Sequence, residues 1–161
     1  MVLMLGGFSV LPADGADDPV KAELKQLQGT WLHISTQRDG EVRPEPRTLW
    51  FFQGSRATVH FETRPAATPV RSWSFSATPS NILIIHHFRL DPTQTPKAID
   101  EQTQYPNAKD VILRIVPAIY KIDGDTLTIC FAGNHDEGKR PSDFTAARGS
   151  GRWIYVLKRE R

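Results

Sequence analysis

The chain has 161 residues, an ordinary length for one domain, and its single cysteine, Cys130, rules out an intrachain disulfide and a cysteine-rich zinc knot. Charged residues make up 24% and the net charge is only +2, with the arginines scattered rather than gathered in a stripe, so nothing marks a nucleic-acid footprint. Twelve prolines point to a turn-rich soluble domain with room for a real core.

Residues 1–11 (MVLMLGGFSVL) are almost wholly apolar and too few to span a bilayer, so no transmembrane span is expected. With the small residues of PADGA behind them they read as the apolar part of a secretion signal, although no Lys or Arg precedes the run. On that reading residues 1–16 form a separate N-terminal segment, residues 17–161 the domain, and the protein is periplasmic or secreted. Without a signal it is cytoplasmic. Asp17, Asp18 and Pro19 then open a short helix ending before Gly29, with Val20, Leu24 and Leu27 on one face.

From Thr30 onward the pattern is that of strands separated by turns. The segments 30–38, 47–53, 56–63, 70–77, 81–90, 111–122, 125–131 and 152–159 read as strands, with a loop through Pro44 and Pro46. Asp39-Gly40, Gly54-Ser55, Pro79-Ser80 and Asp123-Gly124 supply turns. Residues 91–100 read as mostly irregular, with a short strand at most over 97–100. Pro117 implies a bulge, a break or an edge, and one turn of helix is expected near 141–144 in the polar stretch 132–150. Most strands alternate an apolar with a mixed side: Ala57, Val59 and Phe61 oppose His60 and Glu62, and Trp153, Tyr155 and Leu157 oppose Arg152 and Lys158. Sequential antiparallel strands with one dry face are satisfied by closing on themselves, which also removes the edges. The expected fold is therefore all-β: an eight-stranded up-and-down antiparallel barrel with a short N-terminal helix. A two-sheet sandwich is the competitor.

The helix followed by Leu27-Gln28-Gly29-Thr30-Trp31 and sequential strands resembles the lipocalin-like domains, whose first strand begins Gly-x-Trp. The resemblance implies that Trp31 packs at the closed end of the barrel under a basic residue from the chain end, Arg159 or Arg161. The segments Leu27–Trp31, Pro96–Asp100 (PKAID), Ile119–Cys130 (IYKIDGDTLTIC) and Arg140–Phe144 (RPSDF) together resemble an uncharacterised lipocalin-like family known mainly from planctomycete bacteria. That likeness spans about residues 20–159 and implies a fold without implying an activity.

Candidate site residues follow from the strand phases. His86 points inward with Ile82, Ile84, Phe88 and Leu90, as a ligand contact or a satisfied core group, while His87 points out with Arg89. Arg114 and Tyr120 either bind a carboxylate inside the barrel, as the lipocalin-like resemblance implies, or face solvent or a rim. Lys97 and Asp100 are placed to meet Arg140, Asp143 or Asp91, as a rim site for an anionic or carbonyl-bearing ligand or as an ion-pair network pinning a long crossing. Cys130 lacks a visible base and reads as a small filler. Neither a metal nor a cofactor is expected: no spacing supplies three or four convergent ligands, and no nucleotide-loop or hydrolase motif occurs. The sequence thus points to non-enzymatic binding of a small apolar or amphipathic molecule in the cell envelope. A filled-barrel structural or protein-interaction module is the alternative, and an enzyme of unknown reaction type the lesser one.

Overall fold

In the computed structural model, which describes residues 18–61, 83–104, 115–136 and 138–161, eight antiparallel strands close into a barrel behind one short helix. In chain order these are α1 (Pro19–Leu27), β1 (Gly29–Arg38), β2 (Glu41–Gln53), β3 (Arg56–Phe61), β4 (Leu83–Asp91), β5 (Ala98–Gln104), β6 (Ile115–Asp123), β7 (Thr126–Phe131) and β8 (Trp153–Arg159). Each strand pairs with its sequence neighbours, and β1 pairs with β8 to complete the circle. Each of the eight described strands is therefore paired on both sides over at least part of its length.

Three readings from sequence are corrected in detail. The ladder runs from β3 directly to β4, and Ala98–Gln104 supplies a full strand where only a short one over 97–100 was expected. The strand read at 70–77 lies outside the described residues, as do the N-terminal segment and residues 111–114. Secondly, Pro44 and Pro46 sit within β2 and not in a loop. The β1–β2 register slips between His33 and Ser35, so that Ile34 faces three residues of β2, Pro46 among them, while Pro44 stays paired opposite Ser35 on a stretch of β2 with no β3 partner among the described residues. Thirdly, the single helical turn in the final crossing is a 3-10 turn at Asn134–Asp136, not at 141–144.

Pro117 is accommodated without a break. It lies opposite Asp100 of β5, and its carbonyl accepts from Ala132 N–H at 2.9 Å just past the end of β7. Pro117 thus keeps a ladder bond on its β7 side through its carbonyl, although it has no N–H to give.

The interior is packed with alternate residues from all eight strands. Trp31, Trp50, Phe52, Phe88, Leu90, Ile99, Tyr120, Leu127, Ile129, Phe131 and Leu157 are buried there together with Leu27 of the helix. A smaller cluster lies outside the wall, where Ile119, Cys130 and Ile154 are covered by Ala146 and Phe144 of the crossing between β7 and β8. Gly133 makes this crossing possible, because a Cβ there would collide with the backbone of Ser150 and Gly151. Arg152 fastens it with a two-pronged pair to Asp136, 2.7 Å at the closest, and the pairing holds the Asp136 carboxyl below its ordinary value.

The helix closes one end. Asp18 caps it by accepting from Val20 N–H at 3.0 Å, and Pro19 fixes its first turn. Its last carbonyls, which no helix can satisfy internally, are met from the barrel. Trp31 Nε1–H donates to Leu27 O at 2.8 Å, and Arg159 donates to Gln28 O at 2.8 Å and Gln26 O at 2.5 Å. The same guanidinium lies over the Trp31 ring with its carbon 4.1 Å from the centroid. Gly29, at φ +104°, makes the sharp step from helix to strand beneath it.

Trp31→Ala is expected to cost about 3–5 kcal/mol in urea unfolding. Arg159→Met, which keeps the apolar stem, should cost about 1–3 kcal/mol because it orphans helix carbonyls. Arg161→Met should leave the midpoint unchanged, since Arg161 reaches only the exposed Asp125.

Candidate functional site

The opposite end of the barrel, called the mouth below, is where β1, β3, β5 and β7 finish and β2, β4, β6 and β8 begin. On the inner wall toward this end the apolar pattern is interrupted. His86 of β4 takes an inward position in line with Ile84, Phe88 and Leu90, and β5 places Glu101 and Thr103 beside it. His86 Nδ1–H donates to Glu101 Oε1 at 2.7 Å, and Thr103 Oγ1 donates to the same oxygen at 3.2 Å. The side chains of both His86 and Glu101 are only 11% exposed. Because an ionised carboxylate can only accept, Nδ1 carries the proton, and in the neutral ring Nε2 is left as an acceptor.

Beneath the histidine lies Trp50. The two rings stack with centroids 4.8 Å apart and planes 12° from parallel. Trp50 also stacks on Phe52 and meets His33 and Tyr155 edge-on. Its indole N–H is buried and finds no hydrogen-bond partner among the described residues. His33 Nε2–H donates to Ser35 O at 3.2 Å, with Thr36 Oγ1 equally near, and its ring packs 4.5 Å from that of Tyr155. Burial pushes His33 below its ordinary value, against the opposing pull of Glu45. Burial also raises the Tyr155 hydroxyl, reinforced by the carboxylates Glu101 and Glu45, so it stays protonated.

The residues singled out in sequence fall into three places. His86 is in the mouth cluster just described. Lys97 and Tyr120 belong to the plugged end: both reach Glu23 of the helix, Tyr120 Oη–H donating at 3.1 Å and Lys97 forming an ion pair. They also line a cleft of about 370 Å³ beneath the loop 92–97. Burial, followed by the nearby Glu23, holds the Tyr120 hydroxyl above its ordinary value. Asp100 and Arg140 meet on the outer wall at 2.6 Å, and Arg140 also donates to Ile99 O at 2.9 Å and Ala118 O at 2.6 Å. That set ties the crossing to β5 and β6. Gly29, Trp31 and Arg159 form the plug, and Arg114 lies outside the described residues. No helix among the described residues is long and apolar enough to cross a membrane, and no group of three or more metal-binding side chains occurs among them.

Sequence reasoning passed over Trp50, Glu101, Thr103, His33, Tyr155 and Glu23 as members of either site. Glu101 and Thr103 lie in AIDEQTQ, which carries no apolar alternation, and only the register with β4 turns them inward. Comparison with protein-family models, with curated proteins and with solved structures finds no match to this chain.

Two outcomes follow from this geometry. A histidine depressed by burial takes up its proton more readily in the unfolded chain, so stability is fully present above about pH 6.5 and is lost as pH falls below it. The slope is at most about 1.4 kcal/mol per pH unit. His33→Gln should reduce the difference between urea unfolding at about pH 7.5 and at about pH 5.5. Cys130 is fully buried under the crossing, and burial pushes its thiol up to about 11. A thiol reagent should label the native chain slowly, and Arg152→Ala, which unties the crossing, should speed labelling by at least about tenfold.

Proposed function

We propose that this chain is a lipocalin-like, non-enzymatic binding protein of the cell envelope that holds a small, partly apolar molecule at the mouth of its barrel. The observation that carries the reading is the hydrogen-bonded His86–Glu101–Thr103 set, with buried His33 nearby, on an inner wall that is mostly aliphatic and aromatic. Burying an ionisable pair costs desolvation that leucine or isoleucine at the same positions would avoid. A barrel that needed only to be filled has no use for it, whereas a binding pocket uses a few fixed polar groups on an apolar lining to orient its ligand. The plug supports the same reading: a tryptophan under a chain-end arginine is what the likeness to the lipocalin-like domains implies.

One observation favours a second reading, a module that docks a protein through its rim. Val42 and Ile115, 65% and 59% exposed, stand on mouth ends of strands.

Native mass spectrometry of protein purified from its own host separates these readings. The first expects a small-molecule mass on the intact chain that is lost on collisional activation, and lost without activation in Glu101→Leu. A bare chain, alone or with a protein partner, would overturn it.

A further inference from the structure

At the plugged end, the loop 92–97 between β4 and β5 arches over a cleft of about 370 Å³ that crosses the rim of the barrel. Tyr120 and Ile122 of β6 form its inner side, and Lys121 of the same strand with Phe144 of the final crossing its outer side. A space of this size is in the range that takes a small molecule. It shares no lining residue with the mouth cluster and is independent of the binding reading above.

The charges on its wall are of one sign. Lys97 and Lys121 line it, and among the described residues no acidic side chain does. Glu23 lies behind the wall, 7% exposed, and its carboxylate accepts from Lys97 and Tyr120. Asp91, at the root of the loop, accepts from Thr93 N–H, the Thr93 hydroxyl and Gln94 Nε2–H, which shapes the roof. Lys97 gives Glu23 one donor and keeps others, and its side chain is still 41% exposed. Lys121 has no ion-pair partner among the described residues. Its ammonium lies over the face of Phe144, 5.0 Å from the ring centre, which holds the charge beside the cleft. Glu23 balances Lys97, so Lys121 leaves one positive charge on the wall. A single negative charge matches it, whereas a dianion would bring a second charge toward the buried Glu23. Ile122, Phe144 and the rings of Pro92 and Pro96 offer apolar surface to a short hydrocarbon body. We propose that this cleft binds a small organic monoanion, a carboxylate on a short apolar chain. The carboxylate meets Lys121 and the remaining donors of Lys97, and the chain lies against Phe144 and the loop.

Hexanoate, hexan-1-ol and acetate separate the charge from the chain. Each is titrated into the full chain while the backbone amides are followed by ¹H–¹⁵N correlation. Hexanoate is expected to move the amides of Thr93, Lys97, Lys121 and Phe144 with one common affinity. It should bind at least about fivefold more tightly than hexan-1-ol and about tenfold more tightly than acetate. Lys121→Gln, at an exposed strand position, should weaken hexanoate about fivefold and leave hexan-1-ol within about twofold. Lys158→Gln, which removes an equal charge from an exposed residue outside the cleft, should leave hexanoate within about twofold. Equal weakening by the two substitutions, or hexan-1-ol binding as tightly as hexanoate, overturns the proposal. So does a response confined to the strands around His86 and Glu101, or none at the four cleft amides up to about 50 mM hexanoate.

Discussion

Arg159 is where the barrel, the helix and the closed end become one object. It sits at the end of the last strand, so it reaches Trp31 only because β8 pairs with β1 and completes the circle. Its donors then stop the helix, whose final carbonyls would otherwise face an apolar floor without partners. The positive charge at a helix C-terminus is favourable in its own right, and the ring below adds a cation–π contact. Strand pairing, helix capping and core packing therefore depend on each other at this point. Glu23, buried on the inner face of the helix and tied to Lys97 and Tyr120, adds a second seam between plug and wall.

Sealing one end gives the polar cluster at the other its meaning. Lower in the barrel the inner wall is made of Phe52, Phe88, Leu90, Ile99 and Leu127, which need nothing but one another. Higher up, a histidine, a glutamate and a threonine satisfy each other over a tryptophan that remains one bond short. The outer wall shows the contrasting use of charge. Asp100 with Arg140, and Asp136 with Arg152, hold the long crossing against the barrel and shield Cys130 beneath it. Pairs of ionisable side chains thus serve different ends: Asp100–Arg140 and Asp136–Arg152 fasten the strap outside, Glu23–Lys97 joins plug to wall, and His86–Glu101 interrupts the core.

Much of the architecture was legible in the chain because the physics is local. Asp18-Pro19 starts a helix by its own chemistry, Asp39-Gly40 and Asp123-Gly124 turn by theirs, and alternation in 56–61, 83–91 and 153–159 marks strands with one dry face. What was hidden depends on register. The strand β5 carries polar residues on both faces, so its sequence looks like a loop until β4 is laid beside it. The prolines of β2 read as a loop because the bulge that admits them is a property of the β1–β2 pair. Ile154 and Ile119 point away from the core yet are apolar, for the crossing covers them, and no alternation rule foresees that layer. The mouth cluster is the extreme case: His86 announced itself by facing inward, but Glu101 and Thr103 join it only from the neighbouring strand β5, and Trp50 from β2, two strands away.

The barrel has a sealed end and, opposite it, the end that carries the polar cluster, and the tryptophan indole protons report on both. A ¹H–¹⁵N correlation spectrum of the full chain, recorded with the co-purified small molecule of the binding reading bound and again after its release, follows them individually. The expected result is that the Trp50 indole proton shifts on release while that of Trp31, already bonded to Leu27, stays in place. A Trp31 signal that moves while Trp50 remains still would contradict it.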